Sequence, residues 1–377
     1  MTKRAPRFRA RTLLAAAIAV VLGAAVVAHR EPSAHADASR RSRRHPHDGA
    51  STRHAKRDVA STSPWSSRDA CLAALKTGGS QRRAGTARVG AWNLHWFPDG
   101  RPGDTPSPRG ADLEWLACAI AWMRVDVLAV EEIKRPPRGK AGLDALVRKL
   151  DALTSGTWRS LLDDCPLASG QHVGLLYDSR RVKLVSNATI GELNPRGAPC
   201  KDELRPGLAG YFVFPGGLDL SVIAAHLKSG SDARALEERA RSFTAFADAV
   251  RIASTTSHDR DVLVLGDMNT MGCETCEPSV THAAELARTD AIFSGLAGPV
   301  TRVPPSIECS HHYKKTSALL DWAAKSDLGE LPAAARVVVS GACGELGCDA
   351  LSTGLASQTH LSDHCPIWVE LDDADRD

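Results

Sequence analysis

The 377-residue chain is poor in aromatic side chains, at 5%, and contains no internal repeat. Its 43% hydrophobic and 24% charged residues lack the bias of a disordered chain, the glycine period of collagen and the sustained heptads of a coiled coil. The apolar run from Leu13 to Ala28 has about 16 residues, short of the roughly 20 that span a bilayer. No glycine-rich phosphate loop is present, and no Ser-His-Asp or Cys-His order carries a nucleophile elbow. Covalent catalysis therefore stands behind metal-assisted or acid–base chemistry.

What is present divides sharply by charge. Met1 to Pro64 holds 13 Lys/Arg against 4 Asp/Glu, whereas Trp65 to Asp377 holds 34 basic and 40 acidic residues, a net of −6. Lys3, Arg4, Arg7, Arg9 and Arg11 precede the apolar run, and Ala34-His35-Ala36 offers a small-x-small cleavage site. Residues 1–36 thus read as an export signal, with an uncleaved membrane anchor as the alternative. No cysteine lies near that site, which argues against a lipid-modified amino terminus. Residues 37–64, rich in Arg, His, Ser and Ala, read as a disordered linker because they have too few large apolar groups to bury. Residues 65–377 form one catalytic domain by this reading, a secreted or periplasmic monomer.

All ten cysteines follow the leader, and an even number in an exported chain predicts disulfides. Cys273/Cys276 and Cys343/Cys348 lie in Gly-rich stretches, where each pair could close a small ring. A tetrahedral zinc site is the alternative at that spacing, and a redox-active Cys273-Glu-Thr-Cys276 a weaker one.

Periodicity mixes strands with helices along the body. Strands are predicted at Arg88–Leu94, Val125–Val130, Trp158–Leu162, His172–Tyr177, Leu208–Phe214, Leu218–His226, Val262–Leu265, Leu319–Ala323, Arg336–Val339 and Cys365–Val369. Helices are predicted at Asp112–Met123 and Leu143–Leu153, and a single long one at Asp232–Ala253 opens on a Ser-Asp cap. The order predicts a layered α/β domain with large connecting loops.

Polar residues recur at the carboxyl ends of these strands, the edge where layered α/β proteins place their chemistry. Asn93 ends the first strand, Glu131-Glu132 the second, His226 a third and Asp267-Met-Asn269 a fourth. Asp321 follows Leu319-Leu320, and Ser362-Asp363-His364 introduces the last strand. Taken singly each is a turn or helix cap. Six such ends carrying only carboxylates, amides and imidazoles are harder to explain as turns. Glu132, Asp363 and Asn93 offer oxygens suited to a hard cation such as Mg²⁺ or Mn²⁺. His226 and His364 suit proton transfer or hydrogen bonding to phosphate, Asp267 the activation of a water, and Asn269 the phosphate.

The ordered series Trp92-Asn93, Glu131-Glu132, His226-Leu-Lys-Ser, Gly266-Asp-Met-Asn269, Leu320-Asp321-Trp and Ser362-Asp-His364 resembles the endonuclease/exonuclease/phosphatase superfamily. The resemblance runs from about Arg88 to Leu371. It implies a four-layer α/β/β/α sandwich and a divalent-metal-dependent phosphoesterase. It further implies Glu132 as principal metal ligand with Asn93 and Asp363 nearby, and His226 and His364 as catalytic histidines, His364 oriented by Asp321. Asp267 and Asn269 would position water and phosphate. Glu131 stands where the family often has Gln, which makes it a hydrogen-bonding support for the ligand. Nuclease-like members bring a Tyr or an acidic residue before the strand that here begins at His172; this chain has Ser169-Gly-Gln-His172, and Tyr177 comes too late.

Substrate class follows less directly. A nuclease is the first reading, with DNA or RNA as partner, although a body of net −6 opposes strong duplex binding. Phosphatase and sphingomyelinase-like activities are the alternatives on the same site. Trp96-Phe97 is the one lipid-facing candidate, and Lys201, Arg205 and Lys228 are few for an inositol polyphosphate. A surface-binding protein without turnover is the reading from another class. Asn187-Ala-Thr189 matches a glycosylation acceptor but carries little weight in an Ala/Arg-rich, bacterial-looking chain.

Overall fold

Apolar runs of strand length, buried on both faces, build two six-stranded sheets that pack against each other. The computed structural model describes residues 59–101, 110–165, 170–197, 200, 204–313, 316–348 and 355–376. The expected leader, the linker up to residue 58, Ser169 and Lys201 lie outside them.

The first sheet comprises β1 (Thr86–Phe97), β2 (Val127–Lys134), β3 (Trp158–Leu162), β4 (Gln171–Asp178), β13 (Val338–Val339) and β14 (Ile367–Asp372). Its spatial order is β13-β14-β1-β2-β4-β3. The second comprises β5 (Lys183–Ile190), β6 (Gly207–Val213), β7 (Asp219–His226), β8 (Val262–Asp267), β9 (Val300–Arg302) and β12 (Asp321–Ser326), ordered β5-β6-β7-β8-β12-β9. A separate hairpin pairs β10 (His311–Tyr313) with β11 (Thr316–Ala318).

Side chains alternate across each strand, so each sheet feeds two cores. Val89, Ala91, Val127, Ala129 and Leu175 of the first sheet meet Phe212, Val222, Ala224, Leu263 and Leu265 of the second. On its outer face Trp92, Leu94, Leu128 and Val130 pack on α2 (Leu113–Met123) and α3 (Arg138–Thr154), with α1 (Arg68–Lys76) beside α2. The outer face of the second sheet packs Ile223, Val264 and Trp322 on α4 (Ala233–Thr244), α5 (Phe246–Ser257) and α6 (His282–Ser294). The result is the four-layer α/β/β/α sandwich expected from the sequence. Short helices α7 (Gly341–Leu346) and α8 (Ala356–His360) lead back to the last strand. No helix among the described residues is long and apolar enough to cross a membrane.

Three expectations are corrected. The single helix over 232–253 breaks at Ala245, with neither Gly nor Pro at the break. The flanking Phe243 and Phe246 both pack on Trp322, at 5.7 and 6.5 Å between ring centroids. Residues 59–64 belong to the body rather than to a linker: Val59 packs on the first outer core and the Pro64 carbonyl accepts Trp115 Nε1 at 2.9 Å. Of the two small cysteine rings only Cys273–Cys276 forms. Cys343 pairs with Cys365 and Cys348 with Cys309, while Cys71–Cys118 and Cys165–Cys200 complete five bridges. With every cysteine in a disulfide, the zinc alternative has no thiolate to use.

Candidate active site

Two parallel pairs aim their carboxyl ends at one edge of the sandwich. Asn93 of β1 lies beside Glu131 of β2, and His226 of β7 beside Asp267 of β8. Antiparallel β12 starts at that edge, so Asp321 also sits opposite Asp267. Parallel pairing of neighbouring strands is what turns a series of chain-distant strand ends into one cluster.

Asp267 is the hub, and it is buried. Its Oδ1 accepts the Asn269 amide at 2.9 Å, and its Oδ2 accepts Asn93 Nδ2 at 2.9 Å. His226 Nε2 lies 3.4 Å and His364 Nε2 3.8 Å from the same Oδ2. Burial, opposed by His364 but reinforced by Asp321, pushes the Asp267 carboxyl up to about 7. Asn269 adopts a left-handed φ of 52° and donates its side-chain amide to the Leu227 carbonyl at 3.2 Å, which clamps the β8 loop to the β7 loop.

His364 stands against Asp321, Nδ1 to Oδ2 at 2.9 Å, and Asp321 also accepts the Ser310 hydroxyl at 2.7 Å. Burial opposes charge on His364, but the Asp321 and Asp267 carboxylates outweigh it and hold the imidazole well above its ordinary value. His226 is the opposite case: burial, with Arg205 and His364 nearby, holds it well below, so it is neutral. Its buried Nδ1 has no hydrogen-bond partner among the described residues. The two histidines of one site are thereby set to different charge states by their surroundings.

Gly266 explains how so many carboxylates fit. At its φ of 141° a Cβ would lie 2.1 Å from the Ala225 carbonyl and 2.8 Å from Glu131 Oε1, so only glycine allows this approach. Glu131 is wholly buried there, and neither of its oxygens has a hydrogen-bond partner among the described residues. Burial first, then Asp321 and Asp267, push it well above the usual carboxylate range.

The remaining expected residues take distinct places. Glu132, at a φ of 59°, accepts the Trp96 amide at 3.0 Å through Oε2. Asp363 is held well below its ordinary value: burial raises it, but hydrogen bonds from His311 and His95 prevail. Asn93, expected at the metal, has both ends of its amide engaged inside the protein, its Oδ1 accepting the His95 amide at 3.0 Å. Its Nδ2 thereby supports Asp267. His311, Asp363 and His364 have donor atoms within 4.8 Å of one another, as do Asp267, Asp321 and His364.

Three participants have no signal in the motifs. His95 Nδ1 meets Asp363 Oδ1 at 2.8 Å, and His311 Nε2 lies 3.7 Å from Asp363 Oδ2. In sequence His95 falls just past the predicted strand Arg88–Leu94 and outside every motif; in the structure the pairing of β1 with β2 slips between Asn93 and Phe97, and His95 and Trp96 both turn left-handed, at 48° and 53°. Gln171 accepts Arg205 Nη1 at 3.1 Å, and Arg205 also donates to the His226 and Leu227 carbonyls at 3.4 and 3.2 Å. The arginine therefore braces the β7 end against β4. Tyr177 lies at the far end of β4, opposite Val127, where its ring packs on Phe212 at 5.4 Å. Phe97 is core, while Trp96 is half-buried.

No protein-family model matches this chain, and no curated protein does either. Solved structures do. An endonuclease/exonuclease/phosphatase from Bacteroides vulgatus superposes with a TM-score of 0.50 at 16% identity, over 76% of this chain and 98% of that one. Humanized D. rerio TDP2 gives 0.48 at 17% identity, over 76% and 99%. The human Nocturnin catalytic domain gives 0.44 at 14% identity, over 77% and 95%. The body of this chain has the endonuclease/exonuclease/phosphatase fold.

Proposed function

We propose that the chain is an exported, divalent-metal-dependent phosphodiesterase, with nucleic acid as its substrate. The observation that carries the reading is the convergence of Asp267 with His226, His364 and Asn93, with His364 fixed by Asp321. A hydrolase without a nucleophilic Ser or Cys needs a positioned base for water and donors for the phosphate, and this cluster supplies both. Five disulfides and the basic, then apolar, amino terminus support export.

In this mechanism a water attacks phosphorus and passes its proton to Asp267, which Asn93 and the Asn269 amide hold in place. His364, kept cationic by Asp321, donates to a phosphate oxygen as charge grows there. Neutral His226 donates from Nε2 and fixes the second face of the phosphate. Glu132 and Asp363 would hold the metal, which supplies Lewis-acid stabilisation of the phosphoryl oxygens when bound. The bond to the leaving oxygen breaks as the new P–O bond forms, and that oxygen is protonated from solvent.

The test is hydrolysis by the purified full-length chain, with added metal and with EDTA, of plasmid DNA, RNA, sphingomyelin and an inositol polyphosphate in parallel. EDTA-sensitive cleavage of DNA or RNA is expected. Cleavage of the lipid or the inositol phosphate alone would replace the substrate but keep the site, and silence on all four would favour a binding protein.

A further inference from the structure

We infer that Asp261, Glu330 and Asp375 form a structural Ca²⁺ site at the pole of the sandwich opposite the catalytic edge. Each offers a carboxylate oxygen, and the three oxygens lie within 4.8 Å of one another. That spacing is about twice a Ca–O bond of roughly 2.3–2.6 Å, so one ion between them can touch all three. The donors are all oxygens, the hard set that suits Ca²⁺ rather than zinc-type ions. Burial separates this group from an ordinary acidic surface: Asp261 and Glu330 are each 1% exposed, and only Asp375 of the three is open to solvent. Glu330 Oε2 is buried with no hydrogen-bond partner among the described residues. A buried carboxylate is costly unless a donor, a cation or a metal meets it, and further carboxylates within 4.8 Å raise that cost. An ion bound among the three removes both penalties.

The fold brings the three together from separate segments. Asp261 immediately precedes β8, Glu330 follows β12, and Asp375 follows β14. Because β8 and β12 belong to the second sheet and β14 to the first, an ion held here ties the two sheets together. Backbone bonds fix the segments: the Asp261 carbonyl accepts Ser221 N at 2.9 Å, and the Glu330 carbonyl accepts Asp372 N at 2.9 Å. A depression of about 470 Å³ reaches Asp261 and Glu330, giving an ion an entry path and room for water ligands. Of the cations that line it, Arg260 pairs with Asp327 at 3.3 Å, Arg376 with Asp372, and Lys325 donates to the Leu328 carbonyl at 3.2 Å. The six residues of β8, about 20 Å of extended chain, separate Asp261 from the catalytic end at Asp267. The site is therefore separate from the catalytic edge, and the inference does not depend on the phosphoesterase reading. A metal-free cluster held by ion pairs is the competing account.

Full-length chain stripped by a chelator and titrated with Ca²⁺, by calorimetry and by thermal melting, separates the two. A saturable event with a Kd on the order of 10⁻⁴–10⁻³ M, as in extracellular Ca²⁺ modules, is expected together with a rise in melting temperature. Both should persist in Glu132→Gln, which alters the catalytic edge. Glu330→Gln and Asp375→Asn, which keep side-chain size, should each weaken Ca²⁺ binding by about 10-fold or more, because affinity follows ligand charge. The same two variants should lose the Ca²⁺-induced rise in melting temperature and keep wild-type hydrolysis. If Glu330→Gln does not fold, the exposed Asp375→Asn decides alone. No saturable Ca²⁺ binding, displacement of Ca²⁺ by equimolar Mg²⁺, wild-type affinity in the folded variants, or a Ca²⁺ effect lost only in Glu132→Gln would overturn the inference. Hydrolysis that survives such a result leaves the phosphoesterase reading in place. Glu330-dependent Ca²⁺ binding with no phosphoester cleaved leaves this inference standing and removes the other.

Discussion

His364 and Asp321 belong to different sheets and meet at 2.9 Å, the imidazole just before β14 donating to the carboxylate that opens β12. The pair fastens the two sheets at their active edge and fixes which nitrogen of His364 faces Asp267.

Asp321→Asn keeps the shape and removes the charge that holds His364 protonated. Loss of such an orienting carboxylate in a catalytic unit costs about 10²–10⁴ in rate. Steady-state hydrolysis should fall by that range, with the His364 imidazole titrating lower by NMR and an unchanged near-ultraviolet spectrum. Wild-type turnover would remove Asp321 from the mechanism.

Arg239 is buried in an ion pair with Glu285, Nε to Oε1 at 2.6 Å. It also donates to the carbonyls of Lys228 at 3.1 Å, Gly230 at 2.7 Å and Gly272 at 3.0 Å. One guanidinium thus ties the loop after His226 to the loop after Asn269. Arg239→Met leaves Glu285 uncompensated, and breaking one side of a buried pair costs about 3–5 kcal/mol. Urea denaturation should show that loss; a change below about 1 kcal/mol would show that water reaches the pair.

Arg88 is buried against Glu370, Nη2 to Oε2 at 2.7 Å. Burial raises the Glu370 carboxyl, but hydrogen bonds from Arg88 and Arg83 prevail and lower it. A lowered carboxylate stabilises the fold above the unfolded value of about 4.3, and that contribution is lost as pH falls through the lower folded value. Glu370→Gln should therefore flatten the acid limb of the stability curve below about pH 4. An acid limb identical to that of the wild type would contradict the pairing.

The disulfides differ in how much chain they close. Cys343–Cys365 spans 22 residues and Cys309–Cys348 spans 39, whereas Cys273–Cys276 spans 3. Loop-closure entropy grows with span, so Cys→Ser in either long bridge should cost about 2–4 kcal/mol. Both bridges flank the Ser310–His312 segment and the Asp363–His364 turn, so activity should fall as well. Opening Cys273–Cys276 should cost least, as read by thermal denaturation; ten free thiols in the purified, non-reduced protein would contradict all three statements.

Strand-end polarity made the greater part of the site legible. Asn93, Glu132, His226, Asp267, Asn269, Asp321, Asp363 and His364 all fall at the one edge that their positions after or before apolar runs imply. The helix over 68–76 and the strand over 183–190 had no sequence signal: the first is a short helix capped by Ser67, and the second is an edge strand with alternate residues exposed. The break at Ala245 has no local marker, because it is set by where Phe243 and Phe246 must pack on Trp322.

The sequence by itself determined the layered α/β class and the chemistry of the edge, since apolar runs of strand length and the residue type at each strand end are local properties, while the four-layer sandwich came from the ordered motifs' resemblance to a known family. Tertiary structure alone decided that His95 and His311 join Asp363, and that Cys343 pairs with Cys365 rather than with Cys348. These contacts join segments up to 268 residues apart. They depend on a local slip in β1 and on the path of a hairpin, and neither is written in the hydrophobic pattern.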